Sequence, residues 1–228
     1  MEQATDPKST RKIMFPIHSF YIYNIPHEQC TLEIEIRPPA RNTFDIKYLK
    51  AFKDLAVTEL TLTDSRIQTV EHINEYFPGA FAIALEDCDL RWPRHLEPFS
   101  LLVDLQILNL SGSNLKRISS KGNHPLLHTR LKILDLRGCK NLLSVRKGIP
   151  ESVEDLRLDG CEKLKYHQHM IDGPKNLKYL LLPRHIVNAG ALWQHRDTWN
   201  GMRLTLHTEH PWHDDWPANA FIIIAQDD

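Results

Sequence analysis

A leucine-spaced unit returns through this chain every 22 to 26 residues, and few architectures can absorb such a period. LTLTDSRI carries it at Leu60, Leu62, Ser65 and Ile67, and IALEDCDL at Ile83, Leu85, Cys88 and Leu90. LNLSGSNL, LDLRGCKNL and LRLDGCEKL follow, starting at Leu108, Leu134 and Leu156. LLLPRHI is a shorter copy at Leu180, Leu182, His185 and Ile186; MRLTL keeps only the strand, at Leu204 and Leu206, and EIEI supplies Ile34 and Ile36 upstream. First apolar positions fall at 34, 60, 83, 108, 134, 156, 180 and 204. Each copy alternates as a half-buried strand does, with Leu134 and Leu136 to one side and Asp135 and Arg137 to the other. One such unit cannot bury its apolar face alone, whereas a stack of them makes a continuous core.

Leu105-Leu108-Leu110-Ser113-Leu115 and Leu131-Leu134-Leu136-Cys139-Leu142 show the pattern L-x-x-L-x-L-x-x-N/C-x-L in full. Over roughly residues 30 to 210 the chain resembles the leucine-rich-repeat family. That resemblance implies an α/β solenoid, or horseshoe, of about eight coils, with a parallel concave sheet and short helices or turns on the convex side. It also implies that the small polar residue after each strand turns inward onto backbone groups, a position matched by Ser65, Cys88, Ser113, Cys139, Cys161 and His185. GCKNL and GCEKL look like the cysteine-containing repeats of plant immune receptors, and IPESVEDLRLDGC looks like the repeats of effectors that bacteria inject into host cells.

Residues 1–14 are polar and read as a disordered tail; 15–228 read as a single leucine-rich-repeat domain. An open stack must be covered at both ends, so caps are expected at about 15–33 and about 210–228. FYIYN and TLEIEI are expected to pair as strands over the first coil, and Phe221 to Ile224 to form a last strand or cap. Between strands, DIKYLKAFKDL and TVEHINEYF have helical spacing, and WPRHLEPFSLLVDLQ has room for a short helix after Pro98. Segments with Pro and Gly, such as SVRKGIPESVEDL, predict turns or 3-10 pieces.

Spacing excludes several chemistries. No two of the nine glycines are closer than ten positions, so no dinucleotide-binding, phosphate-loop or nucleophile-elbow glycine motif exists. The closest cysteines, Cys139 and Cys161, exclude every C-x-x-C zinc or redox pattern, and reduced thiols are expected. Twenty-eight Lys+Arg against 29 Asp+Glu give a net charge of −1, which argues against a dedicated nucleic-acid binder. No run is apolar and long enough for a membrane span, and the amino terminus carries no apolar leader segment. His207, His210, His213, Asp214 and Asp215 form the one dense set of ligand-type residues, but Pro211 interrupts them and a polar loop packed by Trp212 and Trp216 is expected. No nucleophile–base–orienter set can be assembled.

What remains is the face opposite the leucines. Its residues are acidic at the amino end (Glu33, Glu59, Asp64), mixed in the middle and basic with apolar groups at the carboxyl end. The expected binding residues are Ile107, Asn109, Ile133, Asp135, Arg137, Asp155, Arg157, Tyr179, Leu181, Arg184 and Arg203, because exposed apolar groups beside guanidiniums are the usual anchors of a protein interface. The functional expectation is a non-enzymatic protein–protein interaction module, a bacterial effector or adaptor, that binds another protein on its concave face. It needs no cofactor, metal, nucleic acid or small-molecule substrate, and it acts in the cytoplasm or enters a host cell without a cleavable signal. Two alternatives stand beside it: a recognition fragment of a larger receptor or ubiquitin ligase, and a metal-binding or enzymatic protein using the His-rich end. Against a ligase, the repeats occupy the chain almost to its end.

Overall fold

The computed structural model describes residues 10–15, 18–24, 30–35, 46–54, 56–63, 67–165, 167, 174–183, 185–186, 203–207 and 220–226; within 10–35 and 203–226 it describes the course of the strands alone. Eleven strands form one sheet in the order β1-β2-β3-β4-β5-β6-β7-β8-β9-β11-β10. They are β1 (Thr10–Phe15), β2 (His18–Asn24), β3 (Cys30–Glu35), β4 (Val57–Thr63), β5 (Ala82–Glu86) and β6 (Ile107–Asn109), then β7 (Ile133–Asp135), β8 (Asp155–Arg157), β9 (Tyr179–Pro183), β10 (Arg203–His207) and β11 (Ala220–Gln226). Six successive pairings, from β3–β4 to β8–β9, are parallel and join neighbours in sequence. The chain is therefore α/β in kind, with a parallel sheet and few helices.

The leucine register is what aligns the parallel strands. Leu60 pairs with Ile83, Ile83 with Leu108, Leu108 with Leu134, Leu134 with Leu156, and Leu156 with Leu180. All of these, with Leu62, Leu85, Leu110, Leu136, Leu158 and Leu182 behind them, are buried in one core. A slip of one residue would turn the whole set to solvent, so the apolar alternation enforces the register. At each entry one carbonyl accepts two N–H groups: Gln106 O takes those of Lys132 and Ile133 at 2.8 and 3.0 Å, and Lys132 O takes those of Glu154 and Asp155 at 2.8 and 3.0 Å.

Turns after the strands are equally regular. Asp87, Gly112, Gly138 and Gly160 hold positive φ (55°, 68°, 66° and 71°), and the Gly112 and Gly138 N–H groups donate to Arg137 O and Asp159 O of the next unit. The inward small residue then closes a second ladder. Ser113 Oγ donates to Leu85 O at 3.1 Å, Cys139 Sγ to Leu110 O at 3.2 Å, and Cys161 Sγ to Leu136 O at 3.1 Å. Each bonds a carbonyl one unit back; Leu110 O and Leu136 O accept a second donor as well, the N–H groups of Ser113 and Cys139, each at 3.2 Å. Burial pushes the Cys139 thiol up to about 12 and shifts Cys161 further in the same direction; Cys88 is buried too. One column further, a side-chain ladder runs from Asp89 to Asn114 (2.8 Å), Asn141 (2.6 Å) and Lys163 (2.7 Å).

Return segments cover the other side of the core. Ile46–Phe52 is a 3-10 helix with Ile46, Leu49 and Phe52 inward, and α1 (Ile73–Tyr76) is a single α-turn. The helix expected after Pro98 instead begins at Pro93 and runs to Leu101 with Pro98 inside it. It is 3-10, and Pro93 at its start presets the backbone angle while lacking only an N–H that would be unpaired there.

Both ends differ from expectation. Residues 10–14, read as part of the tail, lie in β1, which pairs antiparallel with β2; β2 pairs antiparallel with β3. Residues 1–9 lie outside the described residues. At the far end the strand at Leu204 does not extend the parallel series. β11 returns between β9 and β10 and pairs antiparallel with each. The eighth expected parallel neighbour is thus a closing hairpin partner, and seven strands carry the parallel pairings.

Candidate functional site

The face away from the core is built from two rows in register. Ile107, Ile133, Asp155 and Tyr179 stand opposite one another on β6 to β9, and Asn109, Asp135, Arg157 and Leu181 form the row beside them. With strands about 4.8 Å apart, each row spans roughly 14 Å. Ile107 and Ile133 are half-buried, and Tyr179 is 48% exposed.

Two of the expected exposed residues are covered. Asp135 is 3% exposed because guanidiniums close over it. Arg137 bonds it through Nε (3.0 and 2.9 Å) and Nη2 (2.7 Å), and Arg157 Nη1 lies at 3.7 Å. The Arg137 N–H also donates to Asp135 Oδ1 at 3.0 Å. Leu181 is 6% exposed; β9 is flanked by β8 and by β11, with Ile222 directly opposite, so a residue in its middle has neighbours on both sides. Arg157 is held to Asp155 by Nη2 at 2.7 Å and Nε at 3.2 Å. Hydrogen bonding to Asp135 raises the Arg137 pKa and hydrogen bonding to Asp155 raises that of Arg157, so both guanidiniums are more firmly charged than usual. Asp159, also buried, has an Oδ1 with no hydrogen-bond partner among the described residues, and burial raises its pKa against the pull of Arg137.

Further along, Asn109 Nδ2 donates to Glu86 Oε1 at 2.8 Å while its Oδ1 accepts the Ser111 N–H at 2.9 Å. The charges of this face are therefore largely satisfied by one another. What it leaves open is apolar edge and the Tyr179 ring. Arg184 lies outside the described residues, as does the side chain of Arg203 on β10. So does most of the His-rich segment, residues 208–219. Among the described residues no three His, Cys, Asp or Glu side chains converge as a metal set would, and no helix there is long and apolar enough to cross a membrane.

Two clefts lie off this face, on the return segments. One, of about 1080 Å³, includes Glu71, His72, Asp89, Arg91, Trp92 and His95. Its charges are internally matched: Arg91 grips Asp89 at 2.8 and 2.7 Å and depresses that carboxyl, and burial lowers the His95 pKa. Trp92, which is exposed, carries Lys116 Nζ 4.8 Å from its ring centroid. The other, of about 590 Å³, gathers Arg117, Lys121, Arg146, Lys147 and Lys165. Linear inspection reads these cations as scattered. Superposing the repeat units would have found them, since KRISSKGNH, SVRKG and KLKYH follow the strand by similar intervals in three successive units. Comparison with known proteins adds no identity to this geometry: no family model, no curated protein and no solved structure matches the chain.

Proposed function

We propose that the chain is a leucine-rich-repeat solenoid that works as a non-enzymatic protein-binding module, an effector or adaptor whose target lies across the outer rows of β6 to β9. The architecture is supported by the leucine register and the inward Ser/Cys ladder, both of which recur with the sequence repeat. One observation carries the binding role: Tyr179, 48% exposed, ends a register row that begins with Ile107 and Ile133 on a face whose charged groups are already paired. Pre-paired guanidiniums offer little to a free anion, whereas rigid apolar area rimmed by fixed dipoles suits a protein surface. An aromatic with a polar tip is the usual anchor there.

Capture from candidate target lysates should compare wild type with Tyr179→Ala/Ile133→Ala. A specific partner should lose at least roughly 2 kcal/mol of affinity, about thirtyfold. Lys50→Gln/Lys53→Gln, at and just past the end of the Ile46–Phe52 3-10 helix, should leave capture unchanged. A partner that binds the Tyr179/Ile133 variant normally would move the site off this face. Arg157 is a poor test residue. Removing it would strip a cation from buried Asp135 and confuse binding with stability.

A further inference from the structure

We infer that the 590 Å³ cleft on the return segments of the units after β6, β7 and β8 is a binding site for a small molecule or headgroup bearing two or more phosphates. Five cations line it, Arg117, Lys121, Arg146, Lys147 and Lys165, and among the described residues no Asp or Glu does. In a chain of net charge −1 such a concentration is not a by-product of composition. Elsewhere the fold does pair cations: Arg91 with Asp89, Lys175 with Glu151, Lys178 with Glu154. Among the described residues these five have no ion pair. Like charges gathered across three adjacent layers, roughly 10 Å in all, repel unless an anion sits between them.

The site is built rather than incidental. Lys116 O accepts the Leu143 N–H at 2.9 Å and Leu143 O accepts the Lys165 N–H at 3.1 Å, while Arg117 bridges Ser144, so three units are stitched together beneath the cations. The Arg146–Lys147 turn is locked from two sides. The Ser119 hydroxyl donates to Arg146 O, and the Ser144 hydroxyl accepts the Arg146 N–H at 3.1 Å. Gly148 packs so closely that a Cβ there would stand 2.7 Å from Ile118 Cγ1. Lys147 itself is held at φ 53°, a conformation that costs a non-glycine residue energy and that fixes where its side chain departs. His124, also lining the cleft, has a buried Nδ1 without a hydrogen-bond partner among the described residues. Several close phosphates suit the site better than one, because five cations exceed the charge that a single phosphate can balance. The volume lies in the range of small-ligand pockets.

The test is calorimetric titration of the full chain with inorganic tripolyphosphate and with orthophosphate. Tripolyphosphate should bind saturably at one site, at least about tenfold tighter than orthophosphate, and weaken as salt is raised. Arg117→Gln/Arg146→Gln should weaken it by about tenfold or more, whereas Lys50→Gln/Lys53→Gln, with the same change in charge, should shift it by less than about twofold. Melting temperatures check that each variant is folded; if the first double melts early, Lys147→Gln/Lys165→Gln replaces it. Vesicles carrying a bisphosphorylated inositol lipid, against phosphatidylserine vesicles of equal charge, separate the two sources. Recruitment to the former alone, displaced by tripolyphosphate, identifies a headgroup; tripolyphosphate binding without recruitment identifies a soluble ligand. No saturable binding, or equal loss in both double variants, overturns the inference.

Discussion

Gly112, Gly138 and Gly160 occupy the same turn in successive units at nearly the same φ, so alanine at each position separates backbone strain from crowding between layers. At Gly138 the nearest atom to an added Cβ is 3.7 Å away, an ordinary contact. Gly138→Ala should therefore cost only the left-handed backbone penalty, about 1–2 kcal/mol, reduced by the roughly 0.4–1 kcal/mol that alanine gains by restricting the unfolded chain. At Gly160 the same penalty applies, but the Cβ would also stand 3.1 Å from both N and Cα of Gly138. Backbone cannot swing aside, so two layers must separate by a few tenths of an ångström. Overpacking of that kind adds about 1–3 kcal/mol. At Gly112 the obstacle is Asp87 Oδ1, 1.9 Å from the added Cβ. It is the end of an exposed side chain that can rotate away, and the cost should stay near that of Gly138. The expected order of destabilisation is Gly160 well above Gly112, with Gly112 close to Gly138. Urea midpoints at constant slope measure it. Gly138→Asn, which tolerates positive φ, should recover part of the alanine loss. If Gly160→Ala proves no worse than Gly138→Ala, the layers do not meet at the glycines.

Four further outcomes follow from the buried polar groups. Asp159→Asn should raise the melting temperature at neutral pH by roughly 2–4 °C, for about 1 kcal/mol, because burial penalises the ionised form. Its folded pKa is raised, so wild type regains stability as pH falls through that pKa, and the advantage of the variant should vanish in acid; an advantage independent of pH would refute the charge argument. Asp135→Ala should cost about 2 kcal/mol in chemical unfolding, below the 3–5 kcal/mol of a fully buried pair, because Arg137 and Arg157 remain partly hydrated. Cys139 and Cys161 should react with thiol reagents only as fast as the chain opens. Rapid native labelling would contradict this. Cys139→Ser should cost about 1 kcal/mol or less in chemical unfolding, since Ser113 already makes the equivalent bond, and a clearly larger loss would contradict that equivalence.

Most of the core was legible because its signal is local and repeated. An L-x-L step every two dozen residues identifies the strands, their inward side and the small inward residue that follows, and Leu108, Leu134 and Leu156 stand where that pattern places them. Whatever depended on a partner distant in sequence was not legible. Alternation marks Asp135 and Leu181 as outward, but Arg157 of the next unit joins the adjacent Arg137 over the first, and β11 flanks the strand of the second. β10 has the period of a further parallel strand, and only the pairing shows β11 lying between it and β9. The basic cleft was invisible for the same reason: its cations lie some twenty residues apart and become neighbours only when units stack.

The way β11 enters the sheet has a consequence for anyone who shortens this protein. Residues 220–226 would pass for a dispensable tail, yet among the described residues they are the sole partner of β10 and the outer partner of β9. Deleting seven residues would therefore strand two elements at once, leaving β10 with nothing to pair with and β9 with a bare row of N–H and C=O groups. A raw edge of that kind recruits whatever strand is nearest, and in a concentrated solution that is the same edge of another copy. Such a truncation should yield chain-to-chain pairing, visible as concentration-dependent oligomers, before it yields an unfolded protein.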